Sequence, residues 1–262
     1  MKISCIQMDM RLGETDYNFS HAEELIRQTA GRENPDVILL PETWNTGYFP
    51  EDLASTADRD GERTKEFLSA LAKELRLNLV GGSVANRRVE GFYNTAYVVN
   101  RAGEVAAEYD KTHLFTYAEE HEHFCPGHHV CRFELDGRKC GMIICYDLRF
   151  PELVRKMALE GLDLLFVPAQ WPEKRTMHLE TLARARAIEN QIFLALCNSV
   201  GTAGDVRCGG HSAVIDPWGE YLARAGDQEE IISGTADFSV IDGIRSSINV
   251  FRDRRPELYT IS

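Results

Sequence analysis

The sequence predicts an α/β fold. Short apolar runs typical of buried strands lie at 3–7, 37–40 and 79–82, and segments of helical periodicity lie between them at 18–29 and 64–76. Strands that alternate with helices in this way are typical of a layered α/β protein.

The second half of the chain continues this alternation. Helical patterns at 151–160 and 176–190 interrupt a series of short apolar runs that we interpret as strands. These runs lie at 93–99, 104–109, 130–135, 140–144, 164–167, 193–197, 212–215 and 231–237.

Two of the predicted strands carry similar sequences. The segment DVILLPETW at 36–44 and the segment DLLFVPAQW at 163–171 share the spacing of Asp, Pro and Trp. This similarity suggests two related halves, each of which delivers a loop to one crevice. Coincidence is an open alternative, because a strand followed by proline is common.

The composition indicates a single domain over residues 1–262. A hydrophobic fraction of 44% and a charged fraction of 27% are those of an ordinary globular protein, and we find no low-complexity or linker-like segment. The net charge of −12 opposes nonspecific binding to nucleic acid or to an anionic membrane. We therefore expect neither as a partner.

The N-terminus and the cysteines favour a cytoplasmic location. The chain begins with an alternating strand pattern rather than a signal peptide, and no apolar run approaches the roughly eighteen residues of a membrane span. The seven cysteines form no CxxC pair. We expect their thiols to be reduced.

The segment GMIICYDLRFPEL at 141–153 contains the first candidate for a reactive group. Its apolar run ends at Cys145, and ligand crevices of open α/β sheets lie just beyond the carboxyl ends of strands. A free cysteine is more often a buried structural residue than a nucleophile, so Cys145 alone is weak support for catalysis.

Two further charged residues follow strand-like runs. Glu42 comes directly after the run at 37–40 and Pro41, and Lys111 comes directly after the run at 104–109 and Asp110. A thiol with an ordinary pKa of about 8.5 needs a base or a cation to react at neutral pH. Glu42 is a suitable base, and the Lys111 ammonium and the backbone N–H of Tyr146 are suitable donors to the oxyanion of an attacked amide.

The motifs LLPETW, YDKTHLF and ICYDLRFPEL, in this order, resemble those of the nitrilase superfamily of carbon–nitrogen hydrolases. The resemblance implies a four-layer αββα sandwich and a Glu-Lys-Cys triad, with Glu42 as general base, Lys111 as the cation beside the oxyanion, and Cys145 as the nucleophile that forms a thioester. It also implies a second glutamate seven residues before Gly127, which is Glu120, with the neighbouring Glu119 as the alternative. It implies a homodimer and no metal or organic cofactor.

Within this superfamily, CYDLRFPE, AQWPEKR and RAIENQ are most similar to bacterial ω-amidases of the type associated with methionine salvage. Such enzymes act on the terminal amide of 2-oxoglutaramate or 2-oxosuccinamate, so a cation must meet the α-keto acid carboxylate. We expect Arg175 to be that cation and Tyr48 and Trp171 to line the pocket, with core packing as the alternative for both aromatic residues.

Other functions remain open at this level. Four histidines and two cysteines lie at 117–131, and His121, His123, His128 and Cys131 are conceivable zinc ligands of a metal-dependent hydrolase, although their spacing matches no known zinc pattern. A nitrilase, an N-carbamoyl amidohydrolase or another aliphatic amidase would use the same thioester route. A noncatalytic binding protein that retains the scaffold is a further alternative.

Two ion pairs are expected to be structural. Asp147 and Arg149 would shape the turn after Cys145, although Arg149 could instead bind substrate. Glu180 and Arg184 stand at an i,i+4 spacing on a predicted helix, where such pairs commonly form.

Overall fold

The computed structural model describes residues 1–48 and 50–259. The helices are α1 (Thr15–Glu33), α2 (Leu53–Thr56), α3 (Glu62–Leu75), α4 (Glu120–His123), α5 (Pro151–Leu159), α6 (Thr176–Asn190) and α7 (Val240–Ser247). The strands are β1 (Lys2–Gln7), β2 (Val37–Leu39), β3 (Asp58–Arg59), β4 (Asn78–Arg88), β5 (Gly91–Val99), β6 (Val105–Asp110), β7 (Cys131–Leu135), β8 (Arg138–Met142), β9 (Leu164–Ala169), β10 (Phe193–Asn198), β11 (Thr202–Ala203), β12 (Val206–Arg207), β13 (Ala213–Ile215), β14 (Tyr221–Arg224) and β15 (Glu230–Thr235).

The strands form two main sheets. The first has the order β15-β1-β2-β4-β5-β6, with β3 beside β4, and the second has the order β14-β13-β10-β9-β8-β7. The central strands of each sheet are parallel, as in β1-β2-β4 and β8-β9-β10, and the outer pairs are antiparallel. The parallel strands of each sheet therefore end at the same edge.

The predicted four-layer αββα sandwich is confirmed. Alternate residues of β1 and β2 enter different cores: Ile3 and Leu39 lie between the two sheets, whereas Ile6 and Ile38 pack against α1 and α3. Helices α5 and α6 cover the outer face of the second sheet, with Leu179 of α6 in the core. A strand buried on both faces reads as a continuous apolar run, which explains the sequence pattern.

Local signals set the ends of several helices. Pro151 begins α5, where its fixed φ suits the first turn and its missing N–H costs nothing. Asn34 ends α1 in the left-handed conformation, and its N–H donates to the carbonyl of Ala30. Among the described residues, no helix has the length and apolar character needed to cross a bilayer.

The predicted pair between Glu180 and Arg184 on α6 is wrong. Glu180 instead pairs with Arg224 of β14 and with His211, whose Nδ1 lies 3.2 Å from the carboxylate. Arg184 donates from Nε to the carbonyl of Gly219 at 2.7 Å. The strand β14, which the sequence pattern did not reveal, supplies the stronger partner for Glu180.

Candidate active site

Glu42, Lys111 and Cys145 meet at the edge of the sandwich where β2, β6 and β8 end. Lys111 Nζ lies 2.7 Å from Glu42 Oε1, and both side chains are 0% exposed. Cys145 is 7% exposed and lines a cavity beside them. The structure thus brings together three residues that are distant in sequence.

Glu120, rather than Glu119, is the second carboxylate. Both of its oxygens lie 2.9 Å from Lys111 Nζ, and Oε2 also accepts from the N–H of Phe115 at 2.6 Å. Glu119 is exposed. Burial alone would lower the pKa of Lys111, but the negative charges of Glu120 and Glu42 outweigh it and hold that pKa well above its ordinary value. Lys111 is therefore a permanent cation.

Two residues that the sequence did not single out hold Glu42. Asn94 of β5 donates from Nδ2 to Glu42 Oε1 at 2.8 Å, and the backbone N–H of Gln170 donates to Oε2 at 2.8 Å. The signal for Gln170 was its place in the repeated segment at 163–171. The signal for Asn94 was a polar residue at the start of a predicted buried strand.

The two similar segments meet at this site. The backbone N–H of Glu42, after β2, donates to the carbonyl of Ala169 at the end of β9 at 3.3 Å. The expectation that two similar segments each deliver a loop to one crevice agrees with this contact.

Cys145 lies in a strained turn. It has a φ of +46° and begins a 3₁₀ helix that runs to Arg149. A left-handed conformation is unfavourable for a residue with a Cβ and is often found at functional turns. The N–H of Tyr146, which follows in the first turn, is in the part of a helix where N–H groups have no intrahelical partner.

The Cys145 thiol is protonated in the resting site. Burial, followed by the negative charge of Glu42, raises its pKa well above the ordinary value, and Lys111 lowers it only in part. A hydrogen bond to Glu42 adds to this rise. The thiol therefore needs a base that accepts its proton, and Glu42 lies within reach.

The predicted ion pair between Asp147 and Arg149 is wrong. Asp147 is buried and accepts from Tyr109 Oη at 2.8 Å, from the backbone and ring Nδ1 of His113 at 2.9 and 2.7 Å, and from the N–H of Ile144 at 3.0 Å. These local donors satisfy its carboxylate. Arg149 points the other way and stacks over Trp171, 4.6 Å from its ring centroid.

A cavity of about 360 Å³ opens above Cys145. All three predicted substrate-binding residues, Tyr48, Trp171 and Arg175, line it, and so does Arg149. Burial raises the pKa of Tyr48 well above its ordinary value, which keeps its hydroxyl neutral. In the described part of the chain, neither Arg149 nor Arg175 forms an ion pair with a carboxylate. The remaining lining residues are Phe115, Tyr117, Ala118, Tyr146, Gln170, Pro172, Val206 and Cys208.

The structure separates the residues considered as zinc ligands. His121, His123 and His128 are exposed, whereas Cys131 is buried in β7, where burial raises its pKa to about 12. Over residues 1–48 and 50–259, no group of three or more His, Cys, Asp and Glu side chains is arranged to hold a metal ion.

A four-layer sandwich with a thiol, an ammonium and two carboxylates below an aromatic cavity defines a cysteine-type hydrolase. Residues 2–246 match the model of the carbon-nitrogen hydrolase family, and the chain belongs to this family within the nitrilase superfamily.

Relatives support this assignment over the whole length. The chain is 42% identical over 257 residues to a 2-oxoglutaramate amidase of Bacillus subtilis (strain 168), with 98% of each chain covered. It is 30% identical to XC1258 of Xanthomonas campestris, a CN-hydrolase superfamily protein solved with an arsenic adduct in its active site, with a TM-score of 0.91 and 97% of each chain covered. An amidase of Nesterenkonia sp. AN1, solved after addition of acrylamide to its active-site cysteine, has a TM-score of 0.87 at 27% identity and covers 99% of this chain and 98% of its own.

Proposed function

We propose that this hydrolase cleaves the terminal amide of a small α-keto acid amide, 2-oxoglutaramate or 2-oxosuccinamate, to the acid and ammonia. The observation that carries the proposal is the cavity itself, where a thiol, base and cation lie at one end and two arginines without carboxylate partners line the walls. The 42% identity to a 2-oxoglutaramate amidase supports the same substrate class.

The reaction follows from the positions of four side chains. Glu42 takes the proton of the Cys145 thiol as sulfur attacks the amide carbon, and the negative charge on the carbonyl oxygen is stabilised by Lys111 and the N–H of Tyr146. The C–N bond breaks as Glu42 returns the proton to the leaving ammonia. Water then loses a proton to Glu42 and attacks the thioester, and the acid leaves as the Cys145 thiol re-forms.

Glu120 acts on this reaction through Lys111. Its two short contacts fix the ammonium and help keep it charged in a buried setting. A buried cation without such a partner would be costly.

Arg175 is our candidate for binding the α-keto acid carboxylate. Its guanidinium lies 4.8 Å from the ring centroid of Tyr117 and 5.5 Å from that of Phe115, so aromatic faces hold it at the cavity wall. Arg149, stacked on Trp171, is the second candidate. Tyr48 and the Trp171 ring would pack against the carbon chain of the substrate.

The first experiment measures ammonia release from 2-oxoglutaramate, 2-oxosuccinamate, glutamine, N-carbamoyl compounds and simple nitriles. We expect the keto acid amides to be the best substrates, and preference for a nitrile or carbamoyl compound would overturn the substrate assignment. Cys145→Ala should lose ammonia release while retaining its circular dichroism spectrum, and Cys125→Ala should keep turnover. Turnover in Cys145→Ala would reject the mechanism.

The second experiment separates the two arginines. Arg175→Met should raise KM for 2-oxoglutaramate at least tenfold and leave the hydrolysis of butyramide, which has no carboxylate, nearly unchanged. Arg149→Met is the matched comparison, since it removes a similar stacked guanidinium from the same cavity. A selective effect in Arg149→Met alone would assign the carboxylate to Arg149.

The open alternatives have direct tests. Loss of activity on treatment with a chelator would favour the metal-dependent hydrolase, and alkylation of Cys145 by iodoacetamide no faster than that of a model thiol would favour a noncatalytic binding protein. We also propose one domain over residues 1–262, of which 260–262 lie outside the described residues, a homodimer and a cytoplasmic location. A role in methionine salvage stays a prediction.

A further inference from the structure

Asn94 touches both carboxylates of the site. Its Nδ2 lies 2.8 Å from Glu42 Oε1 and 3.3 Å from Glu120 Oε1, and its side chain is 0% exposed. Its backbone carbonyl accepts from the N–H of Lys111 at 2.9 Å, so β5 holds Asn94 directly beside the end of β6. One carboxamide thus contacts the three charged residues around the thiol.

The surrounding charges fix the orientation of this carboxamide. If its oxygen and nitrogen were exchanged, the oxygen would face two carboxylate oxygens at hydrogen-bond distance without a proton between them. In the orientation present, Oδ1 is buried without a hydrogen-bond partner in the described part of the chain. A buried polar atom without a partner destabilises the fold, so Asn94 is retained at a cost.

Lys111 explains what the two N–H contacts are for. An ammonium has three N–H donors, and Lys111 Nζ makes three contacts, at 2.7 Å to Glu42 and at 2.9 and 2.9 Å to the two oxygens of Glu120. The resting site therefore has no donor of Lys111 left for a substrate oxygen. One contact must be given up when the oxyanion forms.

The oxygens that Asn94 contacts are two of the three that Lys111 contacts. We propose that Asn94 is a positioning residue that keeps Glu42 and Glu120 hydrogen-bonded while Lys111 turns one N–H to the oxyanion. A neutral donor is suited to this task, because it adds no charge that would compete with Lys111 for the oxyanion. This inference rests on the roles proposed above for Glu42, Lys111 and Cys145.

The test is Asn94→Leu, which has nearly the same shape and no donor. We expect kcat to fall about ten- to hundredfold with little change in KM, since the loss falls on the charged states of the reaction. The acid limb of the kcat/KM profile should move up by about one pH unit, because the carboxylates lose a donor that favours their charged form. Asn94→Ser, which is smaller, should shift the limb in the same direction if the leucine variant does not fold.

Asn86 provides the matched control. It lies on the neighbouring strand β4, is equally buried and also has a partnerless Oδ1, but its Nδ2 donates to the neutral hydroxyls of Thr95 and Tyr97 at 3.2 and 3.0 Å. Asn86→Leu should lower the melting temperature without moving the acid limb. An unshifted limb in both Asn94 variants, or an equal shift in Asn86→Leu, would overturn the proposal.

These measurements are read on any amide that the wild type hydrolyses. Failure of the keto acid amides as substrates, or turnover in Cys145→Ala, would reject the proposed function before the Asn94 variants are compared. A wild type with the expected activity and Asn94 variants with an unshifted pH profile would reject the positioning role alone.

Discussion

At the scale of single residues, the site depends on charges that are buried together. Glu42, Lys111 and Glu120 are each fully buried, and each would be costly alone. Two carboxylates and one ammonium leave a net negative charge next to a thiol, which keeps the Cys145 proton in place until a substrate is attacked. The resting enzyme is therefore expected to hold a thiol and a carboxylate rather than a free thiolate.

This arrangement predicts that Glu42→Gln separates turnover from thiol reactivity. Glutamine cannot carry the proton from sulfur to the leaving ammonia, so kcat/KM for the amide should fall by about 10² to 10⁴. Addition of acrylamide to Cys145 needs no such leaving group, and Lys111 remains beside the sulfur. We expect the modified Cys145 peptide to form and to be detected by mass spectrometry.

Glu122→Gln is the control for this substitution, because Glu122 is an exposed residue of α4 close to Glu120 in sequence. It should retain wild-type turnover. Wild-type turnover in Glu42→Gln would show that another group moves the proton.

At the scale of elements, Asp147 fastens two segments to each other. It accepts from Tyr109 at the end of β6, from His113 in the loop after Lys111, and from Ile144 just before Cys145. The loop that carries Lys111 and the turn that carries Cys145 thus share one buried carboxylate. The stacking of His113 on Phe150, with ring centroids 3.7 Å apart, adds a second contact between them.

We predict that Asp147→Asn destabilises the protein by about 2–3 kcal/mol, because its amide would turn a donor toward donors in a buried site. Turnover should fall as well, since both segments carry groups of the active site. Urea denaturation would measure the change in the free energy of unfolding. Asp136→Asn is the control, since Asp136 pairs with Arg101 at the surface and the loss of that pair should cost less than about 1 kcal/mol.

An unchanged unfolding curve in Asp147→Asn would contradict this description of the two segments. A loss of stability with full turnover would show that Asp147 supports the fold without positioning Lys111 or Cys145.

The elements also show what sequence patterns could predict. Apolar runs predicted the central strands, and the predicted helix at 176–190 has the bounds of α6. The exposed, alternating β14 and the short α7 lack such runs and were missed. Motif resemblance predicted Glu42, Lys111, Glu120 and Cys145, and the structure brings them together.

The partners of these residues were harder to predict. The pairs expected from sequence spacing, Asp147 with Arg149 and Glu180 with Arg184, do not form, because nearer donors come from other strands and loops. Asn94 acts from β5 across the sheet, and sequence spacing carries no information on such contacts. Residue types at strand ends are therefore predictable here, whereas their hydrogen-bond partners depend on the packed structure.

At the scale of the whole molecule, one outer layer carries exposed apolar side chains. On α6, Met177 is 66% exposed and Ile188 is 45% exposed, and their spacing places both on one face of the helix. Trp218, 51% exposed, extends this patch, because the turn at Gly219 packs against Ile188. Exposed apolar patches of this kind commonly mark protein–protein contacts.

We predict that the proposed homodimer forms through this face of α6. Light scattering coupled to size exclusion should give twice the 29.6 kDa of one chain for the wild type. Ile188→Glu should shift the mass toward a monomer, because an interface that buries a glutamate without a partner is weakened. Val89→Glu, at the 97% exposed tip of the β4–β5 hairpin, places the same charge far from α6 and should leave the mass unchanged. A monomeric wild type would contradict the homodimer, and a dimeric Ile188→Glu variant would assign the contact to another face.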